Sequence, residues 1–395
     1  MMSVSQLRFA VSTQLFDRRF RPNPAYELRR LDELPADERQ ALASLASDPD
    51  FFGVLRPLGG DGALRLKSIC NSVAQLLQSL GVDGRVPPFI VANLGSRAEA
   101  EIADLVLEEV LQVAIDDVFV SGARAHQLIS APLRTEQRGF IGSLSIEAIK
   151  YGQHLTIDNP LLLSAQIYFY NRAPVTSRWQ RRIGGNEGFA RFVGTHDGGP
   201  CARLLDTWKR AASTPASRGW MSWVSRHTRT ASLPYKLYVS PTLEGVPDAL
   251  PKILAAFREQ QVARFKIGAD LPGLARPDKI VAYFESREEL DRVAQTVAAR
   301  LAGWPAHGVP FTGELADGGL LSWGVDPRDT QLLDLQERTS WRLWITHRAA
   351  AALLDARRQP DLAVAPWEFA LQRLAHDGID TESWTPSDRY MERAR

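Results

Sequence analysis

From residue 235 to about residue 325 the chain alternates between two hydrophobic periodicities. The segments YKLYVS, RFKIG and KIVAYF carry apolar side chains at every second position, whereas the segments that begin at Val246 and Arg287 carry them at every third or fourth. A period of two is typical of half-buried strands and a period near 3.6 of amphipathic helices. The order strand, helix, strand, strand, helix, strand therefore predicts a ferredoxin-like (split βαβ) unit.

Three lysines lie on different strands of this predicted sheet. Lys236, Lys266 and Lys279 alternate with residues that the helices are expected to cover, so strand parity allows all three to share the open face. Cations at close range repel each other unless an anion or carboxylates lie among them. The pattern thus predicts an anion-handling site. For each lysine taken alone, the alternative is a surface residue whose amine reaches water.

Short motifs in this region resemble a known enzyme family. The segments KLYVS, FKIG, DKIVAYF and LAGWPAHGVPFTGEL resemble the lyase domains of class III and IV lanthionine synthetases, which are related to the phosphothreonine lyase effectors of bacterial pathogens. The chain is also similar to the HopA-type effector family. The resemblance covers about residues 233–390 and implies a lyase-like C-terminal domain.

The resemblance also implies roles for four cations. A carbon–oxygen lyase of this kind eliminates phosphate from phosphoserine or phosphothreonine and needs neither a metal nor another cofactor. Lys266 would be the base that removes the Cα proton, and Lys236 would hold the phosphate. Lys279 and Arg276 would be further substrate contacts.

The chain departs from the family pattern at the residue that protonates the leaving phosphate. The family has a histidine in a K-x-H strand, where this chain has Tyr238. A phenol, with an ordinary pKa near 10, is a weaker proton donor than imidazole at neutral pH. Either Tyr238 or His307 in PAHGVPF supplies the proton, or the domain binds its ligand without turnover. For His307 taken alone, the alternative is that it is only part of a turn.

The N-terminal block, residues 1–150, has a different order of predicted secondary-structure elements. A predicted helix over Leu64–Leu80, a capping box at Ser96 and a short hairpin around Asp116-Asp117 have the order of a winged-helix-like module. Such modules bind DNA or an extended peptide, or serve a purely structural role. The first long helix offers only two cations for phosphate contacts, which disfavours nucleic acid.

Residues 151–232 are expected to connect the two α+β domains. AQIYFYNR is predicted to be an aromatic strand. RWQRRIGGNEGFARF is predicted to be a Gly-rich surface turn, with an anion cradle of backbone N–H groups as the alternative. The Ser/Thr/Arg-rich stretch Ala211–Ser232 is predicted to be a basic linker or flexible loop, with a cationic approach to an anionic substrate site as the alternative. The predicted organisation is therefore α+β in three blocks, with bounds 1–150, 151–232 and 233–395.

Composition limits the partners and the compartment. The 395 residues carry 47 Lys+Arg against 46 Asp+Glu, so the whole chain has no charge excess that favours nucleic acid. Cys70 and Cys201 are the only cysteines, which excludes a disulfide framework and a thiolate zinc site and suits a reducing cytoplasm. No apolar run is long enough for a membrane span. The histidines lack the HxH and HExxH spacings of metal sites.

These observations favour a cytoplasmic tailoring enzyme of a ribosomally synthesised peptide. The winged-helix-like module would hold the leader of the precursor peptide, and the lyase-like domain would act on a phosphorylated or otherwise activated Ser/Thr side chain of its core. A partner kinase or transferase would install the leaving group. The alternatives are a non-catalytic partner protein of such a pathway, a HopA-type secreted effector and, least favoured, a DNA-binding regulator.

Overall fold

The computed structural model describes residues 15–43, 45–59, 66–129, 139–212, 214, 218–226, 232–315, 318–327, 340–359, 362 and 364–387. Over these ranges the chain combines helices with antiparallel strands, which confirms the α+β class. It divides into two compact units: unit 1 is Met1–Pro132 with Asp355–Ala365, and unit 2 is Leu133–Leu354 with Pro366–Arg395. These bounds differ from the three blocks read from the sequence.

Unit 1 contains two three-stranded antiparallel sheets with strand orders β1-β5-β6 and β2-β3-β4. Its strands are β1 Phe20–Pro22, β2 Tyr26–Arg30, β3 Phe51–Pro57, β4 Lys67–Cys70, β5 Leu111–Ile115 and β6 Val118–Val120. Its helices are α1 Ala36–Ala41, α2 Asn71–Leu80, α3 Pro88–Leu94, α4 Ala98–Leu107 and α5 His126–Ile129. One apolar core joins α2 and α4 to the first sheet through Leu76, Leu80, Ile102, Val106 and Val113.

The hairpin predicted around Asp116-Asp117 is confirmed, since β5 pairs with β6 and both aspartates adopt positive φ. The predicted long helix was wrong at its start. Residues 67–70 pair with β3 instead, so that the helix begins at Asn71. The capping box at Ser96 was also wrong, because α4 begins at Ala98 with Arg97 at its N-cap. The sequence also predicts an opening strand over RFAVSTQLF, residues 8–16, and this segment lies almost wholly outside the described residues.

Unit 2 is built on a seven-stranded antiparallel sheet of order β12-β13-β9-β11-β10-β8-β7. Its strands are β7 Trp208–Arg210, β8 Trp220–Ser225, β9 Tyr235–Val239, β10 Arg264–Gly268, β11 Ile280–Phe284, β12 Gly313–Glu314 and β13 Leu321–Val325, with a separate pair β14 Ile379–Asp380 and β15 Thr385–Pro386. Its helices are α6 Gly139–His154, α7 Pro160–Tyr168, α8 Ser177–Ile183, α9 Gly185–Phe192, α10 Ala202–Leu205, α11 Val246–Glu259, α12 Leu271–Leu274, α13 Arg287–Arg300, α14 Trp341–Arg357 and α15 Pro366–His376.

The alternating periodicities of residues 235–325 correctly predicted the central strands of this sheet and the two helices that pack on them. Helices α11 and α13 bury their apolar stripes against one face of the sheet, in a core that includes Leu237, Val239, Phe265, Ile267 and Ala282. Ser286 caps α13 by accepting a hydrogen bond from the Glu289 backbone N–H at 3.2 Å. The side chains between these core positions are thereby directed to the opposite face.

Three predictions for residues 151–232 were wrong. The aromatic stretch AQIYFYNR is not a strand, because Asn159 and Pro160 start helix α7: the Asn159 side chain accepts from the Leu161 and Leu162 N–H groups. The Gly-rich stretch forms helices α8 and α9, which meet at Gly184 with φ +24°. The basic stretch contains strand β8, which pairs with β7 and β10 and is therefore inside the sheet.

Candidate functional site

The register of the central strands brings two of the predicted lysines to the face opposite α11 and α13. Lys266 on β10 lies opposite Val281 on β11, which in turn lies opposite Tyr238 on β9. In the next row, Tyr283 on β11 lies between Arg264 and Lys236. Because neighbours across strands point to the same face, these residues form one continuous layer of side chains on that face of the sheet.

Three cations surround the ring of Tyr283. Its centroid lies 5.2 Å from the Arg264 guanidinium carbon, 5.6 Å from Lys236 Nζ and 5.8 Å from Lys266 Nζ. The negative ring face attracts each of them. The aromatic ring therefore offsets part of the repulsion among these positive charges.

Lys266 is less exposed than Arg264 and, unlike Lys236, is not held by a carboxylate of the described residues. Its Nζ lies 4.0 Å from the centroid of the Trp220 ring, and among the described residues no hydrogen-bond acceptor or carboxylate contacts it. Burial and the nearby Lys236 charge lower the pKa of the Lys266 amine to about 7. At neutral pH a large fraction of this side chain is therefore a neutral amine with a free lone pair, which can accept a proton.

Lys236 differs because a carboxylate holds it. Its Nζ lies 2.5 Å from Asp326 Oδ1, and only 11% of the Lys236 side chain is exposed. The ion pair fixes the ammonium group on the same face as Lys266. Lys236 can therefore present a positioned charge to an anion.

Arg276 belongs to a buried network centred on Asp278. Its Nε and Nη2 donate to the two oxygens of Asp278 at 2.8 and 2.9 Å, while Arg342 Nη1 lies 2.9 Å from Asp278 Oδ2. The Tyr168 hydroxyl also donates to Asp278, at 3.0 Å. Burial alone would raise the pKa of the Asp278 carboxyl, but Arg276 and Arg342 hold it well below its usual range. This carboxylate therefore anchors two guanidinium groups at once.

The Arg276 guanidinium and the Lys266 amine contact the same aromatic ring, that of Trp220. The central carbon of the guanidinium lies 4.6 Å from the centroid of this ring. The side chain of Arg276 retains 19% exposure. Arg276 thus supplies a second fixed cation beside the lowered-pKa amine.

Unlike Lys236 and Lys266, which are partly exposed, Lys279 has no exposed surface. The Lys279 side chain is fully buried; its Nζ donates to the Pro241 carbonyl at 3.0 Å and is hydrogen-bonded to His307 Nδ1 at 2.8 Å. Burial lowers the pKa of Lys279 to about 7. Burial and the Lys279 charge also lower the pKa of His307 to about 4, so that its ring is neutral at pH 7. Together Lys279 and His307 form a separate polar pair at the end of the sheet.

Tyr238 lies on the same face as Lys266 but is deeply placed. It packs against Val281 and Val309, and 3% of its surface is exposed. Burial raises the pKa of the Tyr238 phenol well above its ordinary value. Within the described ranges its hydroxyl has no hydrogen-bond partner, so a ligand oxygen could supply one.

Sequence reasoning missed four residues that define this site: Trp220, Asp278, Tyr283 and Arg342. Asp278 carried a weak signal, since a carboxylate two residues from Arg276 can form the bidentate pair that is observed. Trp220 lay in the stretch assigned to a linker, and Arg342 comes from helix α14, far away in sequence. Their roles depend on contacts that no local pattern specifies.

The described part of the chain lacks two further features. No group of three or more His, Cys, Asp or Glu side chains there is placed to hold a metal ion. No helix in those ranges is both long and apolar enough to cross a membrane.

Comparisons with known proteins find structural similarity only. No family model and no curated protein sequence matches the chain. An effector protein from Pseudomonas syringae pv. tomato strain DC3000 is similar with a TM-score of 0.37 and 13% identity, over 62% of this chain and 97% of that one. The type III effector/phosphothreonine lyase OspF from Shigella flexneri has a TM-score of 0.27 and 10% identity, over 31% of this chain and 71% of its own.

A third similar structure is the Chromobacterium violaceum VirA (SpvC) phosphothreonine lyase effector. Its TM-score is 0.26 and its identity 14%, over 36% of this chain and 77% of that one. Likenesses at this level leave the function of the present chain to be argued from the site itself.

Proposed function

We propose that unit 2 is a carbon–oxygen lyase that removes phosphate from phosphoserine or phosphothreonine side chains, with Lys266 as the base. The observation that carries this proposal is the amine of Lys266, whose pKa is lowered to about 7 and which has no polar partner among the described residues. Two cations held by carboxylates, Lys236 and Arg276, lie beside it. The family resemblance of residues 233–390 points to the same chemistry.

The proposed step is a β-elimination. The neutral Lys266 amine takes the Cα proton of the phosphorylated residue, and the electron pair of that C–H bond forms the Cα–Cβ double bond. The Cβ–O bond breaks, and its electron pair leaves with the phosphate. The products are a dehydrated residue, free phosphate and a protonated Lys266. No oxidant or reductant is required.

Lys236 and Arg276 would act on the leaving group. Negative charge grows on the phosphate oxygens as the Cβ–O bond breaks, and fixed cations stabilise charge that develops in the transition state. Both cations are already held by carboxylates, so little reorganisation is needed when the substrate binds. A guanidinium also matches phosphate geometry in a bidentate manner.

The rate of elimination should rise with pH and reach half of its plateau near pH 7. Below that pH the Lys266 amine is protonated and has no lone pair for the Cα proton; above it the neutral form dominates. Steady-state kcat/KM measured from pH 6 to pH 9 with one phosphopeptide tests this expectation. A rate that is constant over this range would contradict the role of Lys266 as the base.

Tyr238→Phe and His307→Gln separate the two candidate proton donors. The Tyr238 hydroxyl lies on the same face as Lys266, whereas His307 Nδ1 is occupied by Lys279. We therefore expect Tyr238→Phe to lower kcat by about tenfold or more, and His307→Gln to change kcat less. Single-turnover formation of the dehydrated peptide, followed by mass spectrometry, is the measurement. The reverse order of effects would assign the proton to His307.

A second candidate function is phosphopeptide binding without turnover. The observation that favours it is that neither candidate donor is suited to protonate the leaving phosphate at neutral pH. The pKa of Tyr238 is raised far above neutrality, and that of His307 is lowered to about 4. Isothermal titration with a phosphopeptide, followed by mass analysis of the same sample, distinguishes the functions. Binding with an unchanged peptide mass supports the second candidate.

The finer assignments are also proposals. We interpret the four central strands as a ferredoxin-like unit and the β5–β6 region of unit 1 as a winged-helix-like module that binds the leader of a ribosomally made precursor peptide. Strand β6 is at the edge of its sheet, and Val118 on it is 63% exposed, which suits strand addition. Submillimolar binding of candidate leader peptides in calorimetry supports the leader-binding role of this region, whereas tight, salt-dependent DNA binding contradicts it.

A HopA-type effector role would instead require activity on folded phosphoproteins.

A further inference from the structure

An exposed apolar ridge runs along helix α7 of unit 2. Leu162, Ala165 and Phe169 follow one another at helical spacing, and the Phe169 N–H still donates to the Ala165 carbonyl, so the three share a face. Leu162 is 61% exposed and Phe169 is 40% exposed. An aromatic ring and a leucine that remain this accessible on one ridge are a candidate contact surface.

The ridge ends beside the cations of the proposed active site. The Phe169 ring centroid lies 5.9 Å from the Arg276 guanidinium carbon and 5.6 Å from that of Arg172. Arg276 in turn contacts Trp220, which contacts Lys266. Successive contacts therefore lead from the exposed Phe169 ring to the lowered-pKa amine. An extended peptide covers that path in about four residues, at roughly 3.3 Å per residue.

Several contacts hold Phe169 in place. Its ring packs edge-on against Tyr168 with centroids 5.4 Å apart, and the Tyr168 hydroxyl is tied to Asp278. The chain after Phe169 is fixed as well, since Arg172 Nη2 donates to the Pro272 carbonyl at 2.8 Å and the Ala173 N–H to the Ala275 carbonyl at 2.8 Å. A rigid aromatic side chain contributes contact area with little loss of conformational entropy.

We infer that Phe169 and the α7 ridge determine substrate specificity by binding an apolar side chain of the peptide, within about four positions of the phosphorylated residue on one side. This inference rests on the proposed phosphopeptide site. A phosphopeptide fits both features of this region. The cations bind its phosphate, and the adjoining ridge offers apolar area to the residues next to the phosphorylated one. Turnover is not required for this contact.

The test is a binding scan with the full chain. Fluorescence anisotropy is measured for short phosphoserine peptides that carry leucine at one position from −4 to +4, with serine elsewhere. In the wild type we expect leucine on one side to strengthen binding about tenfold, the effect of burying one such side chain. Phe169→Ala should abolish that gain, so that this variant binds its leucine-containing and leucine-free peptides with equal affinity. Phe169→Leu should retain most of the gain.

Controls separate the possible failures. Phe89→Ala removes a similarly exposed phenylalanine of unit 1 and should leave the scan unchanged. Equal affinities for all leucine positions in the wild type, or an undiminished gain in Phe169→Ala, would overturn the inference. If peptides bind with the expected preference but are never dehydrated, the lyase proposal fails and this inference stands. If the wild type binds no phosphopeptide, both fail.

Discussion

Replacement of Lys266 by methionine is expected to lower the rate of phosphate elimination by about 10²- to 10⁴-fold, the usual contribution of a general base. Methionine keeps most of the aliphatic stem beside Trp220 but has no amine to accept the Cα proton. Mass spectrometry of a phosphopeptide under single-turnover conditions measures the dehydrated product directly.

The chain offers matched controls for this variant. Lys209→Met removes an exposed lysine of β7 that lies on the same sheet face, in the row of Val224 and Arg264, and should leave the rate unchanged. Lys266→Arg keeps a positive charge but cannot act as a base near neutral pH. We expect it to bind phosphopeptide and yet be inactive. Full activity in Lys266→Arg would show that Lys266 contributes charge alone.

Loss of stability is not expected to explain an inactive Lys266 variant. A buried lysine whose pKa falls from 10.5 in the unfolded chain to about 7 in the folded protein disfavours folding while it is charged. The unfolded state binds more protons between these two values, so the wild-type free energy of unfolding rises with pH from about 7 to about 10. Lys266→Met should be at least as stable as the wild type at pH 7, as measured by urea denaturation.

Replacement of Asp278 by alanine is expected to lower the free energy of unfolding of unit 2 by about 3–5 kcal/mol, the cost of removing one partner of a buried ion pair. The change leaves the guanidinium of Arg342, whose side chain is 1% exposed, without its carboxylate. Arg276 loses both of its bonds to Asp278 at the same time. Urea denaturation of the full chain at pH 7 provides the measurement.

A surface ion pair gives the comparison. Asp291→Ala removes the partner of Arg287 on helix α13, where both side chains are about one-third exposed, and should cost no more than about 1 kcal/mol. Equal effects of Asp278→Ala and Asp291→Ala would contradict the central role of the buried carboxylate.

The Asp278 contribution also has a defined pH dependence. Its folded-state pKa is depressed, so the stabilisation is present above the ordinary carboxyl pKa of about 4 and is lost as the pH falls below it. Asp278→Ala should therefore show a shallower loss of stability than the wild type between pH 4 and pH 2. The variant should also weaken phosphopeptide binding, because Arg276 is no longer held beside Trp220.

Sequence alone determined the centre of unit 2. The strands that carry Lys236 and Lys266 and the helix between them follow from periodicities that each segment contains within itself, since a half-buried strand and an amphipathic helix each mark their buried side locally. Strand parity then fixed the face of these two lysines. The β5–β6 hairpin around Asp116-Asp117 was predictable for the same reason.

Only the tertiary structure decided which groups surround Lys266 and how deeply each lysine lies. Parity gives the face of Lys279 but not its burial, which depends on the Pro241 carbonyl and on His307 from distant loops. The aromatic stretch of α7 has strand propensity, yet its N-terminal cap and the packing of Tyr168 on Asp278 make it helical. Trp220 becomes a site residue only when β8 pairs with β10. Such contacts join segments far apart in sequence, and their free energy is gained only when the whole sheet has formed, so no local pattern records them.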